Sequence, residues 1–149
     1  MIKPTIRPVR AEDGADWAQL YEGYAAFYKV SQTPEMRARV FGWLMNPDHT
    51  SNGLVAVNDQ GALIGLTHYR PFVCCLDASV SCFLDDLFVA PVARGTGTAE
   101  GLISAVQAVA RENGWGKVQW ITADDNYRGR GVYDKVAKRT TWITYEMPV

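Results

Sequence analysis

The sequence has almost no excess of either charge: 15 lysines and arginines stand against 16 aspartates and glutamates, a formal net charge of −1. Proteins that grip duplex DNA through its phosphates usually carry a clear basic surplus, so this balance argues against that function. We interpret the short basic cluster around RGRG, within residues 128–139, as a solvated face. We therefore expect no nucleic-acid partner.

Cysteine and histidine are also scarce. The three cysteines, Cys74, Cys75 and Cys82, are odd in number and two are adjacent, which fits no disulfide framework and favours a reducing cytoplasm. We interpret Cys82 as a buried strand cysteine rather than a nucleophile, because no histidine is its neighbour in sequence. The only histidines, His49 and His68, are too few to indicate a metal site, so we expect no metal and a structural role for His68.

Long hydrophobic runs are absent too, since no run approaches the roughly 20 apolar residues that span a bilayer. The first ten residues, MIKPTIRPVR, lack the apolar core of a signal peptide. No repeat, linker or low-complexity segment interrupts the chain, and 48% of its residues are hydrophobic, enough for a full core. We expect one domain, residues 1–149, located in the cytoplasm and with no membrane partner.

Hydrophobic periodicity and turn residues predict the element order β, α, α, three strands, α, β, α, β. The predicted segments are a strand at 5–9, a helix within 11–30, a helix at Pro34–Met45, strands within 53–59, 60–73 and 79–89, a helix at Thr98–Glu112, a strand at 117–123, a helix at 126–137 and a strand at 140–147. This order predicts a mixed α/β (α+β) domain with helices on the faces of a sheet.

A glycine-rich turn, RGTGTAEG, joins the strand that ends at Val89 to the helix that begins at Thr98. The N–H groups at a helix start lack intrahelical partners, and glycine lets the backbone approach a ligand, so this turn could hold a pyrophosphate. The dinucleotide motif G-x-G-x-x-G fails because Glu100 replaces its third glycine, and the P-loop ending G-K-[ST] is missing. From these residues alone, a tight connection that binds nothing is an equal alternative.

The spacing R-x-x-G-x-A, formed by Arg94, Gly97 and Ala99, resembles the coenzyme A signature of the GNAT superfamily of N-acetyltransferases. The opening IRPVRAED, the run LDDLFVAPVARGTG and the pair Asn126 and Tyr133, seven residues apart, are similar to that superfamily as well. The phrases LDDLFV, WAQLYEGYAAFY and YDKVA most resemble its histone and polyamine acetyltransferase branch.

The resemblance implies a GNAT-type fold: a mixed, mostly antiparallel sheet flanked by helices on both faces. It also implies acetyl-CoA as the acetyl donor, with the pantetheine arm paired to a strand edge and a backbone N–H near Val89 facing the thioester carbonyl. The residues expected to bind acetyl-CoA are Leu87, Phe88, Val89, Arg94, Gly95, Thr96, Gly97, Thr98, Ala99 and Asn126.

Two residues are expected to be catalytic by the same resemblance. Asp85 takes the place of a glutamate that acts as general base, and its shorter side chain favours a relay through water. In a regular strand Asp86 would point to the opposite face. Tyr133 corresponds to the tyrosine that protonates the thiolate, although Gly129 and Gly131 weaken its helix. The alternatives are a solvated or ion-paired strand end for Asp85 and a half-buried core residue for Tyr133.

The resulting expectation is an acetyl-CoA-dependent N-acetyltransferase that works by direct transfer in a ternary complex. The acceptor is a primary amine, either on a small polyamine-like molecule or on a lysine side chain of a peptide. Most aromatic residues of the first two helices are assigned to the core, with one or two left to line the acceptor cleft. The resemblance also implies a homodimer that closes over the C-terminal strand. The alternative is a non-catalytic acyl-CoA-binding module of the same fold.

Overall fold

The computed structural model describes residues 2–149. Its strands are β1 (Thr5–Pro8), β2 (Asn52–Val57), β3 (Leu63–Cys74), β4 (Ser79–Val89) and β5 (Val118–Gln119). Its α-helices are α1 (Gly14–Phe27), α2 (Pro34–Met45), α3 (Thr98–Glu112) and α4 (Tyr127–Val136), with short 3₁₀ turns at Ala11–Asp13 and Pro91–Ala93. None of the helices in the described part of the chain is long and apolar enough to cross a membrane.

The five strands form one sheet in the order β1-β2-β3-β4-β5. The first four strands pair antiparallel, and β5 runs parallel to β4. Successive strand residues pack on opposite faces: Val55 packs with α1, whereas Leu54 and Ala56 pack with α3. Helices therefore cover both faces of a mostly antiparallel mixed sheet, which confirms the predicted fold class.

The strands β4 and β5 pair over only two residues, Cys82 with Val118 and Phe83 with Gln119. The strand predicted over 117–123 is therefore much shorter than expected. Beyond Phe83 the two strands diverge, so β4 has no β5 partner from Leu84 to Val89. This divergence leaves a strip of unpaired backbone along the second half of β4.

The strand β4 contains one extra residue in the middle of its pairing with β3. His68 pairs with Asp86 and Tyr69 pairs with Leu84, so Asp85 has no partner in the register. The Asp85 carboxylate contacts Arg70, and the Asp86 carboxylate contacts His68 and Tyr21 of α1. Both carboxylates thus lie on the face that α1 covers, and the expectation that Asp86 points to the opposite face is wrong.

The strand predicted over 140–147 does not form, and this prediction is wrong. Residues 137–149 have no regular secondary structure. Four large apolar side chains in this segment are 73–86% exposed: Trp142, Ile143, Tyr145 and Met147. An apolar pattern becomes a strand only when an edge is available to pair with it, and β5, two residues long, offers too little edge within one chain.

Candidate active site

A cleft of about 360 Å³ opens beside the unpaired half of β4. Its walls come from the end of β4, the glycine turn, the first turn of α3, α4 and the C-terminal end of α1. Nine of the ten residues predicted to bind acetyl-CoA line it: Leu87, Phe88, Val89, Arg94, Gly95, Gly97, Thr98, Ala99 and Asn126. The tenth, Thr96, instead uses its hydroxyl within the turn, where it donates to the Ala93 carbonyl.

The glycine turn has two residues in the left-handed region, Gly95 at φ +79° and Gly97 at φ +81°. No atom lies within 4 Å of a Cβ placed on either residue, so backbone conformation rather than crowding requires glycine here. Gly97 is also the N-cap of α3 and has no side chain to cap it. The first residues of α3 line the cleft, and the N–H groups of a helix start suit a pyrophosphate.

The cations along the cleft outnumber the anions. Arg94, Arg128 and Lys135 line it, against Glu100 as the acidic residue. Arg94 donates from Nε to the Val89 carbonyl at 3.3 Å, and its guanidinium lies 5.7 Å from the centre of the Phe27 ring. These cations favour a ligand with several phosphate charges, so the charge of the cleft suits coenzyme A.

We expect Gly97→Val to weaken coenzyme A binding at least about tenfold. A β-branched residue in the left-handed region costs about 1–3 kcal/mol and displaces the N–H groups that face the cleft. Titration calorimetry with coenzyme A measures the change. Gly61→Val is the matched control, because Gly61 has φ +82° in the β2–β3 turn, away from the cleft. Equal coenzyme A affinities of the two variants would contradict the assignment of the turn.

The start of α4 depends on close contact between Asn126 and Gly129. The Asn126 Oδ1 accepts from the Gly129 N–H at 3.2 Å, and its Nδ2 donates to the Thr122 hydroxyl at 3.0 Å. A Cβ on Gly129 would lie 2.6 Å from Asn126 Nδ2. The helix forms over Tyr127–Val136 in spite of its two glycines, and Gly129 is what allows the asparagine to cap it.

Tyr133 lines the cleft, as do the last residues of β4. Its ring packs edge-on against Trp120, with 5.5 Å between the ring centres. Burial raises the pKa of the Tyr133 phenol to about 12. Tyr133 therefore keeps its proton throughout the neutral range, and its catalytic role stays a prediction.

Asp86 belongs to a buried hydrogen-bond network. Trp17 donates from Nε1 to His68 Nε2 at 3.0 Å, so the proton of the imidazole lies on Nδ1, which donates to Asp86 at 2.8 Å. The Tyr21 hydroxyl donates to the same carboxylate at 2.9 Å. Burial opposes the charge of Asp86, but the hydrogen bonds from His68, Tyr21 and Tyr24 outweigh it and hold the pKa of Asp86 below its usual range. His68 is a satisfied structural histidine, as expected.

Asp85 has a different environment, although it is the next residue. Arg70 Nε lies 3.1–3.2 Å from both of its carboxylate oxygens. Burial raises the pKa of Asp85 above its usual range, and the Arg70 charge offsets only part of that effect. Asp85 does not line the cleft. It lies on β4 two residues before Leu87, which does line the cleft.

Three aromatic residues of the α1 region line the cleft: Tyr24, Phe27 and Tyr28. Tyr24 also interacts with the Asp86 carboxylate, so it joins the cleft to the buried network. Sequence reasoning assigned most of these aromatics to the core and missed Arg70 entirely. Arg70 lies two residues after His68 on β3, so the two side chains share one face of the sheet. This spacing could have indicated that Arg70 lies on the same face as His68.

One other residue considered from the sequence, Cys82, has no part in the cleft. Cys82 is fully buried in the sheet, and burial raises the pKa of its thiol to about 11, so it is a structural cysteine. Within residues 2–149 no three His, Cys, Asp or Glu side chains come together in a group that could hold a metal ion.

Comparison with known proteins decides the family. The model of the acetyltransferase (GNAT) family matches residues 17–137, which include the glycine turn, both aspartates and Tyr133. The chain belongs to the acetyltransferase (GNAT) family. The GNAT resemblance, the N-acetyltransferase class and the use of acetyl-CoA follow from this membership.

Two relatives cover most of this GNAT chain. The D-amino-acid N-acetyltransferase HPA3 of Saccharomyces cerevisiae is 28% identical over 142 residues, which cover 95% of this chain and 88% of that protein. A Bacillus subtilis protein named as an uncharacterized N-acetyltransferase, YhfO, is 30% identical over 131 residues, covering 87% and 86%. Neither name contains a histone or a polyamine, so the likeness to that branch stays a prediction.

A solved structure shows the same GNAT fold. The aminoglycoside N-acetyltransferase AAC(6')-Iy, in complex with the bisubstrate analogue CoA-S-monomethyl-acetylneamine, superposes with a TM-score of 0.85 at 21% identity and covers 97% of both chains. The non-catalytic alternative is not favoured, because the family model and both relatives indicate an N-acetyltransferase.

Proposed function

We propose that this GNAT enzyme transfers the acetyl group directly to a primary amine in a ternary complex. The observation that carries the proposal is the arrangement of the cleft: the glycine turn, the end of β4 and Tyr133 line it, and Tyr24 connects it to the Asp86 carboxylate. Cys82 is buried and its thiol has a raised pKa, so a covalent acetyl-cysteine route has no support.

The residues that would hold acetyl-CoA follow from the geometry of the cleft. The turn at Gly95–Gly97 and the start of α3 suit the pyrophosphate, and the unpaired backbone of Leu87–Val89 suits the pantetheine amides. When bound, acetyl-CoA supplies an activated thioester. We propose that a backbone N–H near Val89 donates to the carbonyl oxygen as negative charge develops on it.

The transfer forms an N–C bond and breaks the C–S bond of the thioester. An alkylamine arrives mostly protonated, since its pKa lies near 10, and it must lose that proton before its nitrogen can attack. We propose Asp85 as the base, directly or through a water, because its raised pKa brings it closer to the working pH than an ordinary aspartate. We propose Tyr133 as the acid that protonates the departing thiolate.

The acceptor is proposed to be a primary amine, on a small molecule such as a polyamine or an amino acid, or on a lysine side chain of a peptide. The polyamine and lysine classes come from the sequence likeness. The amino-acid class comes from the name of the yeast relative. Tyr24, Phe27 and Tyr28 give the cleft aromatic surfaces that suit an ammonium group.

A thiol-release assay with acetyl-CoA tests the proposed function. The amine panel should include polyamines, amino acids, aminoglycosides and lysine peptides. We expect release of coenzyme A that depends on at least one amine and forms the matching acetylamide by mass spectrometry. Tight binding of acetyl-CoA without turnover of any amine or peptide would refute the proposal.

We also propose that the chain forms a homodimer through residues 140–147. The support is the exposure of Trp142, Ile143, Tyr145 and Met147, a contiguous apolar segment that would be costly to leave in water. We expect the double substitution Trp142→Glu and Ile143→Glu to shift the mass by light scattering from dimer to monomer. Leu76→Glu, at the fully exposed tip of the β3–β4 hairpin, is the control that should leave the mass unchanged.

A further inference from the structure

An ion pair joins β3 to β4 two residues before Leu87, the first residue of β4 that lines the cleft. Arg70 on β3 and Asp85 on β4 are in contact at 3.1 Å, and their side chains are 40% and 32% exposed. An exposed ion pair of this kind adds little to the stability of the fold, so stability does not explain why it is there. Its position next to the proposed base makes it a candidate for substrate recognition.

The Arg70 guanidinium is held in place but not saturated. It lies 5.0 Å from the centre of the Phe83 ring, which supports one face of the planar group. In residues 2–149 only its Nε is recorded donating to a protein oxygen, both times to Asp85. The Nη1 and Nη2 groups are therefore available, and guanidinium N–H pairs match a carboxylate in a bidentate fashion.

Asp86, the residue that follows Asp85 on β4, is linked to the cleft. Tyr24 lines the cleft and interacts with Asp86, and Asp86 is followed along β4 by Leu87, which again lines the cleft. The extra residue in β4 puts Asp85 on the same face as Asp86. A molecule that extends from the cleft along this face of β4 would meet Asp85 and Arg70 together.

A buried hydrogen-bond acceptor without a donor lies beside the network around Asp86. Gln32, in the connection between α1 and α2, has a buried Oε1 that no donor reaches among the described residues. The Gln32 side chain interacts with the hydroxyl of Tyr21, which in turn donates to Asp86. A buried oxygen without a donor costs free energy, and this one belongs to the network around Asp86 rather than to the lining of the cleft.

We infer that Arg70 binds the carboxylate of the acceptor, and that the acceptor is therefore an α-amino acid whose amine lies beside Asp85. The inference rests on the proposed function and names its substrate class. In an α-amino acid a single carbon separates the amine from the carboxylate, which matches an arginine and an aspartate in direct contact. A polyamine has only cationic groups, and Arg70 would repel them.

Binding of the carboxylate also prepares the base. In the free enzyme the Arg70 charge stabilises the ionised form of Asp85 and so limits its basicity. A substrate carboxylate that engages Nη1 and Nη2 neutralises that charge and leaves Asp85 better able to accept a proton. Acceptors with a carboxylate should therefore gain in affinity and in reactivity.

Calorimetric titration of the coenzyme A-saturated protein tests the inference without turnover. The probes are both enantiomers of leucine, lysine and phenylalanine, each with its amide, and the decarboxylated amines isopentylamine, cadaverine and phenethylamine. We expect at least one amino acid to bind at least about tenfold more tightly than its amide and its amine. Arg70→Gln should abolish this preference by weakening amino-acid binding alone, and Arg70→Lys should keep part of it.

Arg111→Gln, an exposed charge at the end of α3, is the matched control and should change no affinity. The inference is overturned if no amino acid is preferred over its amide, or if Arg70→Gln weakens amino acids and plain amines equally. Thiol release with the same probes separates the two proposals. Acetylation without carboxylate preference sinks only the inference, whereas the expected binding pattern without any acetylation sinks only the proposed function.

Discussion

Replacing Tyr133 with phenylalanine should lower the rate of acetyl transfer by about 10²–10⁴-fold, the usual contribution of a positioned general acid. The substitution removes one hydroxyl and leaves the ring in its contact with Trp120, so folding and coenzyme A binding should be nearly unchanged. Single-turnover experiments at saturating acetyl-CoA and amine are the right measurement, because product release limits the steady-state rate in many enzymes.

The high pKa of Tyr133, about 12, does not exclude proton donation. A thiol in water has a pKa near 8.5, but burial raises that of Cys82 in this same protein to about 11. A thiolate that leaves inside the cleft is also partly removed from water, which raises its pKa and makes it a better proton acceptor from Tyr133.

The control for Tyr133→Phe is Tyr127→Phe on the same helix, where the side chain is 76% exposed and lies outside the cleft. This variant should react at the wild-type rate. An undiminished single-turnover rate for Tyr133→Phe would show that another group, such as a water, protonates the thiolate.

Much of the site could be predicted from the sequence because its chemistry depends on local backbone geometry. Gly95 and Gly97 are needed for left-handed φ values, and the spacing from Arg94 to Ala99 reflects how a strand passes into a helix start. The seven-residue spacing from Asn126 to Tyr133 likewise reflects one helix face. Such features are encoded within a few neighbouring residues.

The features that the sequence did not predict depend on pairing between distant segments. The extra residue at Asp85 is defined only by the register of β4 against β3, and it moves Asp86 to the face of α1. The strand expected over 140–147 fails because β5 offers only Val118 and Gln119 as an edge. Arg70 comes next to Asp85 through a cross-strand contact, and its spacing from His68 indicates only which face of the sheet it shares.

Asp85 and Asp86 lie on the same face of the sheet, but their different partners suit the two carboxylates to different roles. Asp86 accepts hydrogen bonds from His68 and Tyr21 and is kept ionised inside the protein. Asp85 has a single cationic partner and a raised pKa, which suits a group that must take up a proton. The asparagine variant of each residue should therefore fail in a different way.

Asp85→Asn should lower the single-turnover rate by about 10²–10⁴-fold at neutral pH without lowering the melting temperature. Asp85 can accept a proton only in its ionised form, so the wild-type rate should decrease as the pH falls through the raised pKa of Asp85. The pH–rate profile of Asp85→Asn should lack this decrease. Asp85→Glu retains the carboxylate and should restore much of the rate. A full rate for Asp85→Asn would show that Asp85 is not the base.

Asp86→Asn should act mainly on stability, lowering the free energy of unfolding by about 1–3 kcal/mol through the loss of a buried charged acceptor. The pKa of Asp86 is lower in the folded protein than the ordinary value of 3.8, so its stabilisation is present above that value and disappears as the pH falls through the folded pKa. Denaturant unfolding of wild type and variant should therefore differ at pH 7 and converge in strong acid. A variant that is stable at pH 7 but inactive would instead assign the base to Asp86, which Tyr24 joins to the cleft.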